Sequence, residues 1–421
     1  MYNLEKLELF SNNLEGNIPS SIGSLTNLTH LWLDNNQLTG NIPTQIGGLE
    51  NLIELKLFNN NLSGTIPIEI LNCNNLELLN LDKNQLSGQI PDLIGNLVNL
   101  VTLHLGGNQL SGQIPVTIGD LQNASYINLW NNQLNGTIPE SLWNLVGLNR
   151  LDLDSNQLTG EISSDLGNLV NLEKLYLDNN LFSGNIPTQI GDLSNLKTLT
   201  LHNNNFDGSI PPEIGNLINL EYLYLGGAWD GSIGNSLIGT LPPELSNLTN
   251  LIHLNVQGSF NDEIGMQLTG NIPDWIGTFS NLTYLNLSGN NFTGEIPNSL
   301  WNLNNLSNLS LSENNLEGFL SSEIENLQNL EVLGLAGNHF YGSMPDEIGS
   351  LSSLKQIYLH SNNFSGELPN SLFGLNNLFQ LDLALNEFSG IIPEQICDLP
   401  VNWNEDCDGW HCFSGFENNF C

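Results

Sequence analysis

The side chains able to do chemistry are few and dispersed. Of seven histidines in 421 residues, five (His30, His104, His202, His253 and His360) fall in short apolar–polar alternations that read as strands. His202 and His253 occupy strands two steps apart, which at about 4.8 Å per step separates them by roughly 10 Å. That distance rules out shared tetrahedral metal coordination. Asp152 and Asp154 put two carboxylates on one strand, where a solvated face is the expected setting. Cys407, His411 and Cys412 lie close together, but their spacings do not match common zinc patterns. No Gly-rich phosphate loop, nucleophile elbow or HExxH is present. The sequence therefore predicts no catalytic centre, no metal and no cofactor.

The elements that must position these residues come from an internal repeat. From Leu4 the chain can be cut every 24 residues, at Leu28, Leu52, Leu76, Leu100, Ala124, Leu148, Leu172, Leu196 and Leu220. The unit reads LxxLxLxxNxLxGxIPxxIGxLxxN, and its Asn column runs from Asn12 and Asn36 to Asn204, then resumes at Asn290. Two seven-residue insertions account for the break in phase. LxLxx has the period of a half-buried strand, and a 24-residue return to the next such strand demands parallel pairing. The Asn amide, with two donors and two acceptor lone pairs, suits the backbone of a buried turn. Gly before Ile-Pro permits an unusual φ, and Pro ends ladder pairing. One repeat cannot bury its own apolar face, whereas stacked neighbours can. The predicted organisation is one array over residues 1–401, with insertions near 227–236 and 258–267, and a cysteine-containing C-terminal cap over 402–421.

Composition narrows the partners. The chain carries 7 Lys+Arg against 44 Asp+Glu, a formal net charge of −37. Phosphate backbones and anionic membrane surfaces are both disfavoured by that balance, so no nucleic acid is expected. No run of 18 apolar residues exists, so no membrane insertion by this chain is expected. The start at Met1 shows no signal peptide, which suits a fragment, a mature form or an abrupt beginning.

The repeat resembles the plant-type class of leucine-rich repeat, whose mark is the LxGxIP segment, as in Leu14-Glu15-Gly16-Asn17-Ile18-Pro19. The resemblance covers nearly the whole chain and recurs in about sixteen copies in register. It implies an α/β solenoid: a right-handed superhelix with a parallel concave sheet, a short second strand near LxG, and 3₁₀-rich convex turns. Members include ectodomains of plant receptor-like kinases, receptor-like proteins and polygalacturonase inhibitors, with similar arrays in secreted bacterial and protist proteins. Two features of the pattern depart from the family. The cysteine-paired N-terminal cap is missing, which leaves the first repeat's core exposed, and Ser163 and Ser321 replace Pro.

Five cysteines divide into two groups. Cys73 stands in a column held elsewhere by Leu49 and Leu97 and is expected in the core. Cys397, Cys407, Cys412 and Cys421 cluster at the end and read together as a disulfide-locked cap, which places the chain in an oxidising, extracellular or cell-surface compartment. Three pairings are open. Eleven N-x-S/T sequons occur, Asn286 among them on the strand face, where a glycan would obstruct the sheet.

The informative bias lies in the five x positions of LxxLxLxxN. All seven basic residues fall there, with six of the eight Tyr, five of the seven His, and Trp32 and Trp130. Part of this reflects how little the rest of the repeat tolerates, but strands accept Thr and Val equally well, so the aromatic choice points to a binding face. The expected ligand-binding residues are Tyr126, Arg150, Lys174, Tyr176, Tyr222, Tyr224, His253 and Tyr284, with Arg150 and Lys174 holding an anionic group. The two insertions follow one template, with Trp229 and Phe260 in matching places, either stacked structurally or exposed at loop tips. The expected function is an extracellular recognition module for a peptide, protein or glycan. An inhibitor of a secreted hydrolase, or a structural protein including an ice binder, is the alternative.

Overall fold

The computed structural model describes residues 3–227, 234–258, 266–392 and 395–396. Trp229, Phe260, Cys397, Cys407, Cys412 and Cys421 lie outside the described residues. The chain divides into two compact units, Met1–Phe206 and Asp207–Cys421.

Each unit is a stack of the repeat. In the first, nine three-residue strands from Lys6–Glu8 to Thr198–Thr200 carry the LxLxx segments. They pair in parallel at one repeat per step, so that His30 faces Glu54 and Glu54 faces Leu78. In the second, seven strands run from Tyr222–Tyr224 to Gln380–Asp382. Across the two insertions the partners are Tyr222, His253 and Tyr284, and from there Asn308 and Val332 follow at the ordinary spacing. The insertions lengthen the return path without moving the register. A second row of short strands forms at LxG, as at Gln37–Asn41 and Asn61–Gly64. The helical half of the expected α/β solenoid is 3₁₀ throughout, as in Thr44–Gly48. Ser163 and Ser321 replace Pro without loss, because each hydroxyl accepts a backbone N–H of the following 3₁₀ turn.

Alternation explains the core. Leu28, Leu31, Leu33, Leu38, Ile42, Ile46 and Leu49 of the second repeat are all buried, and the interior copies repeat the pattern except at Leu368, which is half-buried. Asn132 shows what the Asn column does. Its amide nitrogen donates to the carbonyls of Leu105 (3.0 Å), Leu129 (3.1 Å) and Trp130 (3.2 Å), and its oxygen accepts from the Leu110 N–H at 2.9 Å. The residue just before this Asn turns left-handed: Asn35, Asn59 and Lys83 all have φ 52°. The last x column is thus a turn position, and its Asn, Gly and Ser follow from backbone geometry. Gly40, at φ +73°, leaves the room that the Asn17 side chain fills. Cys73 is fully buried, with its thiol donating to the Ile46 carbonyl at 3.4 Å and burial raising its pKa to about 12. Leu9 and Leu14 of the first repeat are exposed.

Candidate ligand-binding face

Within LxxLxLxxN the third, fifth and seventh residues share the face opposite the core, since side chains alternate along a strand. In the first unit this brings Tyr126, Arg150 and Lys174 side by side, with Asp152 opposite Tyr176. Arg150 lies between two rings, its guanidinium carbon 4.8 Å from the Tyr126 centroid and 5.1 Å from that of Tyr176. Its Nε donates to both oxygens of Asp152, at 2.9 and 3.0 Å, and its Nη2 reaches Asp152 Oδ2 at 2.8 Å. The Tyr126 hydroxyl donates to the same carboxylate at 2.8 Å. Asp152 is 3% exposed, so the carboxylate is buried beneath an Arg150 side chain that is itself 36% exposed. Lys174 makes no ion pair among the described residues.

Two expectations need correction here. Arg150 does not present a free cation beside Lys174, because Asp152 occupies the fork of its guanidinium. Asp152 and Asp154 are not on a solvated face: the first is buried, and burial beside Asp178 and Asp152 lifts the Asp154 carboxyl to about 7. Asp82 is raised to about 7 as well, chiefly by burial, although it accepts the Gly106 N–H at 2.6 Å. His104 stands 3.7 Å from Asp82, yet burial lowers its pKa to about 4. At neutral pH that contact is therefore not an ion pair. Asp178 accepts the Thr200 hydroxyl and lies 3.4 Å from His202, whose pKa is lowered by burial. Here Asp152, Asp154 and Asp178 outnumber Arg150 and Lys174, and Arg150 is already paired.

In the second unit Tyr222, His253 and Tyr284 are in register on consecutive strands. His253 and Tyr284 are stacked with centroids 5.4 Å apart and planes at 20°, and Tyr222 leans on His253 at 5.1 Å. The Tyr224 hydroxyl sits 2.6 Å from His253 Nδ1. All four rings are partly exposed. Asn286 is fully buried, its amide donating to Gln257 Oε1 at 2.9 Å and to the Tyr284 hydroxyl at 3.3 Å. This excludes a glycan on Asn286 in the folded chain.

Residue-by-residue reading found the rings and missed that Asp152 holds Tyr126 and Arg150. The signal was available in the fifth and seventh positions, where Asp152 and Asp154 stand in the seventh repeat and Asp178 in the eighth, with Asp82 further off in the fourth. The last Asn of the repeat unit, to which the sequence reading gave no role, forms a second ladder: Asn99 donates to the Asn74 carbonyl at 2.9 Å and Asn123 to that of Val98 at 2.9 Å, ahead of the strands. Among the described residues no group of three or more His, Cys, Asp or Glu is arranged to hold a metal ion, and no helix is long and apolar enough to cross a membrane.

Leucine-rich repeat family profiles match residues 2–49, 51–73, 75–97, 98–158, 170–227, 281–303, 329–351 and 353–375. No curated protein matches the sequence. Among solved structures, a TDR receptor is 33% identical over 94% of this chain and 67% of its own, with TM-score 0.86. The ectodomain of the Arabidopsis receptor kinase HAESA, solved with an extended IDA peptide hormone, is 36% identical over 95% of this chain and 69% of its own, with TM-score 0.86. A leucine-rich repeat protein of Leptospira interrogans is 33% identical over 94% and 93%, with TM-score 0.71.

Proposed function

Because the chain belongs to the plant-type leucine-rich repeat family, we propose that it is an extracellular recognition module that binds a ligand on its strand face, a peptide or protein being the ligand of the first unit. The observation that carries this is the Tyr126–Arg150–Tyr176 cradle. Asp152 fixes Tyr126 and Arg150 on a partly exposed face, and Tyr176 lies against the fixed guanidinium, before any ligand arrives. Rigid aromatic and Arg side chains supply contact area at little entropic cost, which is the pattern of interface hot spots. HAESA, solved with a peptide hormone, supports the peptide reading. Asp82, Asp154 and Asp178 favour a ligand with basic groups over the anionic one that Arg150 and Lys174 suggest in sequence.

The test is selection of peptides from a random display library against the immobilised chain, followed by binding of the selected peptides to variants. Tyr126→Ala with Tyr176→Ala should weaken the selected peptides by about tenfold or more. Lys174→Glu should change affinity little or improve it. Equal binding by the double-Ala variant would move the site off this face.

A further inference from the structure

The two units differ sharply on the face just described. In the first, eleven of the 27 third, fifth and seventh positions are Asp, Glu, Lys or Arg. In the second, only one of 21 is charged, Asp382, and that side chain is 3% exposed. At the first unit's frequency, about eight or nine of these 21 positions would be charged. Phenols, imidazoles, amides and hydroxyls replace the charges. Burial lowers the His253 pKa and raises those of Tyr284 and Tyr358, so the rings stay uncharged around neutral pH.

The rings are arranged as platforms around a trough. Tyr222, His253 and Tyr284 advance one strand at a time, about 4.8 Å per step, which is close to the length of one sugar residue in an extended oligosaccharide. Tyr358 stands three strands beyond Tyr284, roughly 14 Å away. Between them the side chains shrink to Ser310, Ser312, Gly334 and Ala336. A methyl group at Gly334 would stand 3.0 Å from Ser312 Oγ and 3.2 Å from Ser310 Oγ, so both hydroxyls converge on the space above this glycine. The Tyr358 hydroxyl accepts from Gln356 at 2.9 Å, which fixes that ring as Asn286 fixes Tyr284.

We propose that the strand face of the Asp207–Cys421 unit binds an uncharged oligosaccharide, with pyranose rings lying on Tyr222, His253 and Tyr284 and hydroxyl groups reaching Ser310, Ser312 and Gln356. Apolar faces of sugar rings fit aromatic platforms, and their hydroxyls fit neutral donors and acceptors. A peptide terminus or charged side chain finds no exposed counter-charge at the third, fifth and seventh positions; charges stand beside them, as at Glu313 in an eighth position and the Glu331–Lys355 pair at second positions. The inference rests on the reading that the strand face is the ligand face.

The experiment titrates the full chain by calorimetry with cellohexaose, mannohexaose, laminarihexaose and chitohexaose, and with polygalacturonate, a Lys-rich peptide and a Glu-rich peptide as charged probes. At least one neutral hexamer should bind, with affinity unchanged between low and high ionic strength. Tyr284→Ala should weaken it by about tenfold or more, while Tyr284→Phe, which keeps the platform, should stay within about threefold. Circular dichroism of both variants checks the fold. Absence of binding by every neutral hexamer overturns the proposal, as does binding that Tyr284→Ala leaves unchanged. If a charged peptide binds instead and Tyr284→Ala abolishes it, the glycan class falls while the strand face stands as the ligand face. If peptides bind and neither Tyr126→Ala with Tyr176→Ala nor Tyr284→Ala affects them, both readings fall.

Discussion

At the scale of single residues, one kind of side chain was legible in sequence and another was not. Asn132 recurs in a column, and only an amide can satisfy the four backbone groups it touches. Asn132→Ala should therefore cost on the order of 1–3 kcal/mol, read from urea unfolding; no loss would contradict its structural role. Asp154 was misread because its environment depends on Asp178, 24 residues away, which no local window contains. Arg150 was misread although its partner Asp152 stands only two residues on, on the same strand face. Asp154 yields a signed prediction. A carboxyl whose pKa is about 7 folded and about 3.9 unfolded contributes stability that is fully present below the unfolded value. That contribution is lost as pH rises through about 7. Asp154→Asn should thus raise stability at about pH 8, on the order of 1–2 kcal/mol once partial solvent screening is allowed for, and leave it unchanged near pH 4. A variant that is less stable at high pH would mean that the charged carboxylate is needed by the fold.

At the scale of elements, strands and turns follow from periodicity, and the sequence places nearly all of them. LxLxx gives three-residue strands because both leucines point one way, and LxG gives the second row, which ends at or near the left-handed glycine, as at Gly64 with φ +76°. Return segments close into 3₁₀ turns after Pro, whose φ is already fixed: Pro43 sits at φ −69° and ψ 139°. Ser163 (φ −61°, ψ 146°) and Ser321 (φ −68°, ψ 143°) occupy the same conformation. Ser163→Pro with Ser321→Pro should add about 0.4–1 kcal/mol each by restricting the unfolded chain, reduced by the loss of each hydroxyl cap. Differential scanning calorimetry reads the change, and a clear fall in Tm would show that the caps outweigh the ring. The flanking Asn99 and Asn123 close the repeat unit in sequence, but their bonds go to carbonyls 25 residues earlier, so their recurrence was legible and their role was not.

At the scale of the whole molecule, the distribution of charge is more informative than its sum. Forty-four acids against seven bases leave most carboxylates without partners. Among the described residues, Lys56, Arg150, Lys197 and Lys355 pair with Glu54, Asp152, Glu173 and Glu331. Lys197 and Lys355 are nearly half exposed in those pairs, which therefore contribute little. Repulsion among the remaining carboxylates opposes the compact state, and it acts over distances that salt screens at a Debye length of about 10 Å in 0.1 M solution. The Arg150–Asp152 pair, whose carboxylate is buried, is less sensitive to added ions. Salt should then weaken the unfavourable interactions more than the favourable ones. Urea, which is uncharged and leaves ionic strength free to vary, is the denaturant that separates the two effects. The unfolding midpoint should rise as sodium chloride is added at pH 7, and the rise should shrink near pH 4, where carboxylates become neutral. A midpoint that falls with salt at pH 7 would mean that the few ion pairs outweigh the excess negative charge.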